Sequence, residues 1–251
     1  LDCHTPVEHL VAERTLQYNT EMKRLLGQSC FDYMRSTITM TGLIGCSLFR
    51  PEPQCMIVKI DNNWLKRQKH SFLEHRQETG DTDLDYVSNN DILTSWFSRL
   101  SNINITIMSI NTRQRIRKFT NNLAGNYENS IIYNKSEDYS TPGAIRKSLR
   151  TYRNASGTLP GTIKTLLWNT GLVSNWSSFY KQIDISDAHN NVTCSYSYHI
   201  PIIDIREVSV WREGAVVFRF DEHTLGLLIG TRVLTRQKIE DSGVGAVLKT
   251  L

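Results

Sequence analysis

The chain has 251 residues, 39% hydrophobic and 22% charged, with a net charge of +4, which suits a folded globular protein with one large domain or two small ones. No apolar run approaches the ~18–20 residues of a membrane helix, and residues 1–6 lack the basic-then-apolar profile of a signal peptide. Five cysteines (Cys3, Cys30, Cys46, Cys55, Cys194), odd in number and without a CxxC pair, argue against a disulfide framework or a zinc site and for a reducing, cytoplasmic setting.

In chain order, Val11, Thr15, Tyr18, Met22 and Leu25 fall near a helical stripe over residues 10–26, and Gly27 is placed to end it. Residues 28–53, with two prolines at the end, read as a connector. Residues 55–60 form a short apolar strand, after which Asn62 and Asn63 can cap a helix carrying Trp64, Leu65, Phe72 and Leu73 up to Gly80. A helix capped by Ser88 or Asn89 buries Ile92, Leu93, Trp96, Phe97 and Leu100. Residues 103–109 read as a strand buried on both faces, and 129–133 as another.

Thr141-Pro142 is a helix start, with the proline in the first turn, and residues 162–168 form a further helical stretch. The last third is strand-rich, over 172–176, 179–183, 194–200, 208–212 and 215–220. Glu213-Gly214 is the expected hairpin turn between the last two strands, and a final helix is expected over 222–237 with Asp221 as its cap. Helices and strands mix without strict alternation, so the fold class is α/β in the mixed α+β sense.

The densest basic cluster is Lys66, Arg67, Lys69, His70, His75 and Arg76. It is either a solvated helix face or a phosphate-binding patch, and no aromatic platform accompanies it to favour nucleic acid. The five-residue spacings His70/His75 and His4/His9 fit no metal pair on one helix face, so neither a metal nor a nucleic-acid partner is expected.

Five segments occur in a particular order: His9-Leu10-Val11-Ala12-Glu13, Ser88-Asn89-Asn90-Asp91-Ile92-Leu93-Thr94, Asn111-Thr112-Arg113-Gln114-Arg115, Leu123-Ala124-Gly125-Asn126 and Ser174-Asn175-Trp176. In order and approximate spacing they resemble the BAHD acyltransferases of the chloramphenicol-acetyltransferase-like superfamily. The resemblance implies a mixed sheet covered by helices and transfer of an acyl group from acyl-CoA, as co-substrate, to a hydroxyl or amine on a small-molecule acceptor. The lack of a long apolar run leaves no membrane partner expected, and the oligomeric state is left open.

By motif position His9 is the general base, and the Trp176 indole N–H with Ser174 is the donor to the tetrahedral oxyanion. Glu13 stands where the family has an aspartate that forms a structural ion pair with an arginine, matched here to Arg113. Beside these roles stand ordinary ones: His9 as a first-turn residue, Trp176 as a strand core residue, Ser88 and Asp91 as a helix cap and first-turn acid, Arg113 and Arg115 as ion-pair partners.

The chain departs from the family in three places. Glu13-Arg14 replaces Asp-Gly in His-x-x-x-Asp-Gly. Beyond Trp176, Asp184-Ile185-Ser186-Asp187 replaces Asp-Phe-Gly-Trp-Gly. Only eight residues precede His9, where the family has a strand-rich half-domain. The expectation is therefore a C-terminal part with most of the N-terminal half-domain missing: residues 1–53 as its remnant motif helix and crossover connector, 54–251 as the acyltransferase half-domain. A catalytically inactive, acyltransferase-like binding or structural module is the alternative.

Overall fold

Seven strands form one mixed sheet: β1 (Gln54–Ile60), β2 (Ile105–Asn111), β3 (Glu128–Tyr133), β4 (Thr170–Asn175), β5 (Glu213–Arg219), β6 (Leu225–Thr231) and β7 (Gly245–Thr250). They come from a computed structural model that describes residues 12–47, 51–80, 82–116, 119–120, 127–178 and 212–250. Their order across the sheet is β3-β2-β4-β5-β6-β1-β7. β2, β4 and β5 run parallel at the centre, and the other pairings are antiparallel. The expected α/β class with a helix-covered mixed sheet is what the chain adopts. Residues 105–111, 128–133 and 213–219 share that sheet.

The period-2 pattern divides the strand side chains between two faces. Met56, Val58, Val173, Val217 and Ile229 lie on one face in a single apolar cluster with helix α4 (Asn62–Thr79), through Trp64 and Leu65, and helix α5 (Asn89–Leu100), through Ile92, Leu93, Trp96 and Phe97. Each fully buried aliphatic or Phe side chain there contributes roughly 1.5–3 kcal/mol. α5 starts where the Ser88-x-x-Asp91 spacing puts a capping box: the Ser88 hydroxyl accepts from the Asp91 N–H, and the Asp91 carboxylate accepts from the Ser88 N–H. α4 is capped by Asp61, not by Asn62 or Asn63; its carboxylate accepts from the Asn63 N–H at 2.8 Å.

The same face continues over β2 and β3 as a second cluster. Tyr18, Met22 and Leu26 of helix α1 (Ala12–Leu26) join Met108, Ile110, Ile131 and Tyr133 there. The helix from the expected remnant segment thus shares a core with the sheet. Gly27, at φ 86°, ends α1 as expected.

Residues 28–53 are no simple connector, since they hold helices α2 (Gln28–Met34) and α3 (Thr37–Ser47). The two prolines lie beyond the end of α3 and do not interrupt it. Leu166 of helix α8 (Thr162–Leu167) fills the space that a side chain at Gly42 would take, so α3 is held by packing rather than by propensity. Between these lie α6 (Ser136–Tyr139) and α7 (Pro142–Thr151), the latter capped by Thr141 with Pro142 in its first turn.

Two expectations for the last third are corrected. Glu213 and Gly214 lie inside β5; the turn comes at residues 220–224, where the Phe220 and Asp221 N–H groups donate to the Thr224 carbonyl. Residues 225–231 are strand β6, antiparallel to β5, and the only helix in that stretch is α9 (Arg236–Asp241). The reason is Phe218, whose ring lies over its cross-strand partner Gly226 where any Cβ would collide with it. Gly226 and Gly230 also weaken the apolar run as a helix. The expected strands 179–183 and 194–200, residues 208–211 and the Asp184–Asp187 departure lie outside the described residues.

Candidate functional site

The parallel strands β2 and β4 are in register at Met108 and Val173, so the segments that follow, Thr112-Arg113 and Asn175-Trp176, emerge at the same end of the sheet. Of the sequence-predicted residues, that end carries Ser174, Trp176 and Arg113. Ser174 and Trp176 are two residues apart on β4 and its extension, hence on one face. The Trp176 backbone N–H continues the ladder to the Val217 carbonyl at 2.8 Å. Its indole packs against Cys55, Ile57, Val216, Phe218 and Leu228, the cluster on the face away from α4 and α5.

The Trp176 indole N–H donates to Ser174 Oγ at 2.9 Å. The structure thus joins the two residues expected to donate to an oxyanion, but in series rather than side by side. With the indole N–H spent on the serine oxygen, the serine's own proton is the pair's remaining donor, polarised by the bond it receives. The turn beyond is fixed by Asn175, whose Oδ1 accepts from the Ser177 N–H and hydroxyl at 2.9 and 2.7 Å.

Arg113 follows β2. Its backbone N–H donates to Asn111 Oδ1 at 3.0 Å, and its guanidinium lies 4.9 Å over the Tyr127 ring. Arg115 lies 5.9 Å over the ring of Tyr152. Cation–π stacking, which the motif spacing did not reveal, is a principal contact of both arginines.

α1 is tied to the same strand end. The Tyr18 hydroxyl lies 3.0 Å from Thr112 Oγ1 and donates to the Glu128 carbonyl, while its ring meets Phe119 and Tyr127 edge-on at 5.3 and 5.4 Å. Burial pushes the Tyr18 pKa up. Further along the helix, Leu26 borders a cavity with Ile131 and Ile132, so α1 starts at the strand end that carries Arg113 and runs back along β2 and β3. Glu13 lies in its first turn, about 1.4 helical turns before Tyr18. The Glu13 side chain, and with it the expected ion pair to Arg113, lies outside the described residues, as do His9 and the Gly125-Asn126 segment.

Sequence reasoning missed the partner of Asp91. The fully buried carboxylate receives Arg146 Nε at 2.7 Å and Nη2 at 2.6 Å, and the guanidinium stacks 4.6 Å from the Tyr86 ring. Burial raises the Asp91 pKa against the pull of the Ser88 N–H and Arg146. No local pattern announces Arg146, which comes from α7, 55 residues later.

The basic cluster on α4 faces outward. Arg67 sits 3.6 Å from Asp61, His70 3.3 Å from Glu74 and Arg76 3.5 Å from Asp85, all solvated pairs. Cys30 and Cys55 are free, and burial raises both thiols to about 11, too high for nucleophilic work at neutral pH. Among the described residues no group of three His, Cys, Asp or Glu is placed to hold a metal ion, and no helix is long and apolar enough to cross a membrane.

No known family model matches this chain, and no curated protein matches it.

Proposed function

We propose that the chain belongs to a BAHD-like acyltransferase that moves an acyl group from acyl-CoA to a small-molecule hydroxyl or amine in the cytoplasm. The observation that carries this reading is the Trp176–Ser174 hydrogen bond at the end of β4; the neighbouring β2 ends on the same side, where α1 begins on the other face of the sheet. His9 stands three residues before α1 in the sequence.

In this reading His9 takes the proton from the acceptor hydroxyl as its oxygen attacks the thioester carbonyl. A base within hydrogen-bond reach is worth ~10²–10⁴ in rate. The carbonyl oxygen gains the negative charge and receives the Ser174 O–H, held in place by Trp176. Collapse breaks the carbon–sulfur bond, and the proton on His9 passes to the leaving thiolate. The acyl group goes directly to the acceptor, and the chemistry needs no metal.

Steady-state assays of the full-length protein against a panel of acyl-CoA donors test this. His9→Ala is expected to lower transfer by about 10²–10⁴. Unchanged activity in that variant sinks the mechanism. Absence of transfer with every donor favours the inactive module, for which Glu13-Arg14 in place of Asp-Gly already speaks.

A further inference from the structure

At the opposite end of the central strands from Ser174 and Trp176 lies a cavity of about 550 Å³, large enough for a small organic molecule. It is bordered by the segments that enter β2, β4 and β5 and by the chain that leaves β6. Three cationic side chains line it: Arg212 before β5, Arg232 after β6, and Lys238 on α9. The one carboxylate among the described lining residues, Glu213, is buried and turned to the protein, accepting from the Thr231 hydroxyl and the Arg232 N–H. The described lining carries a net +2.

Two buried donors on lining residues have no hydrogen-bond partner among the described residues: the Ser101 hydroxyl, on a fully buried residue, and Arg212 Nε. Ser101 lies at the C-terminal end of α5, where its backbone N–H and carbonyl are both used, by Phe97 and Asn169, and only the hydroxyl is left over. Arg212 is held by its other edge, with Nη2 donating to the Leu167 carbonyl at 2.7 Å. Arg232 is fixed by Nε to the Pro51 carbonyl and by Nη1 to the Arg212 carbonyl, at 2.7 and 2.8 Å. These anchors preorganise two guanidinium groups, which reduces what a ligand must order on binding.

Buried unpaired donors in a cationic pocket suit an oxyanion, and a charge of +2 matches a phosphate monoester dianion better than a single carboxylate. The volume exceeds that of a lone phosphate, and Pro51 and Val233 supply apolar wall for an organic body. From this geometry we infer that the cavity is a binding site for a small phosphorylated molecule, separate from the reaction proposed at the other end of the sheet.

Isothermal titration calorimetry of the chain with pyrophosphate, inorganic phosphate and succinate, at constant ionic strength and pH, tests the assignment. Saturable one-to-one binding of pyrophosphate or phosphate is expected, stronger than that of succinate. Lys238→Glu, at an exposed helix position, should weaken it about tenfold or more. Ser101→Ala should weaken it several-fold while leaving the thermal unfolding of the ligand-free protein unchanged or raised, since it removes only an unpaired hydroxyl. Heats no larger than dilution for all three anions overturn the inference. So does binding that neither variant alters, or succinate bound in preference to both phosphates.

Discussion

Arg146 closes on Asp91 with two nitrogens on one carboxylate oxygen, at 2.7 and 2.6 Å, and so pins α7 to the first turn of α5. The oxygen they share also caps the helix through the Ser88 N–H. One buried carboxylate thus fixes a helix start and a helix–helix contact together.

Removing the cation alone should therefore cost more than removing the pair. Arg146→Met leaves Asp91 buried and charged and is expected to destabilise the protein by ~3–5 kcal/mol. Adding Asp91→Asn, which keeps an oxygen for the cap, should recover part of that loss. Urea denaturation of both variants measures it; a single variant no less stable than wild type refutes the role of the pair.

The Trp176–Ser174 arrangement predicts non-additive kinetics. Ser174→Ala removes the pair's remaining donor and is expected to lower kcat by ~10²–10³ in the full-length protein, with little change in KM. Trp176→Phe keeps the packing bulk and loses only the bond to the serine, so its effect should be smaller. The double variant should be no worse than Ser174→Ala, because the indole acts through the serine. Independent, multiplying effects would show that each side chain meets the substrate on its own.

Glu213 gives stability a pH signature. Burial raises its pKa more than the Thr231 hydroxyl, the Arg232 N–H and the two neighbouring arginines lower it. The folded state therefore holds this proton more tightly than the unfolded chain does. The resulting stability is fully present below the ordinary carboxylate range and is lost as pH rises through the raised value. Comparing wild type with Glu213→Gln by denaturant melts from about pH 4 upward should show the variant gaining relative stability as pH rises. A constant difference across the titration contradicts this.

Local signals in the sequence were dependable where a side chain reports on its own backbone. Ser88 and Asp91, Thr141-Pro142, Gly27 and Gly80 marked helix ends that the structure keeps, because capping is decided within four residues. The α4 cap was misplaced, at Asn62 or Asn63 instead of Asp61, and the larger misreadings came where distant packing decides. The 225–231 run shows apolar residues at both helical and strand spacing, and only the Phe218 ring over Gly226 resolves it. α3 depends on Leu166, more than a hundred residues later. The candidate site was half legible: Ser174 and Trp176 follow from their two-residue spacing on a strand, whereas their hydrogen bond in series and the stacking of Arg113 on Tyr127 depend on rotamers and on β3, which no linear pattern encodes.

β1 lies between β6 and β7, so its first hydrogen-bonded neighbour begins about 165 residues after it ends. At a synthesis rate of ~5–20 residues per second, β1 leaves the ribosome roughly 8–33 s before that neighbour exists. Five of its seven residues are buried in the finished sheet. For that interval the nascent chain carries an apolar strand with both edges open, a target for chaperones and for pairing with other chains. The strand order therefore makes yield on expression sensitive to translation speed and chaperone supply, even where the folded protein is stable.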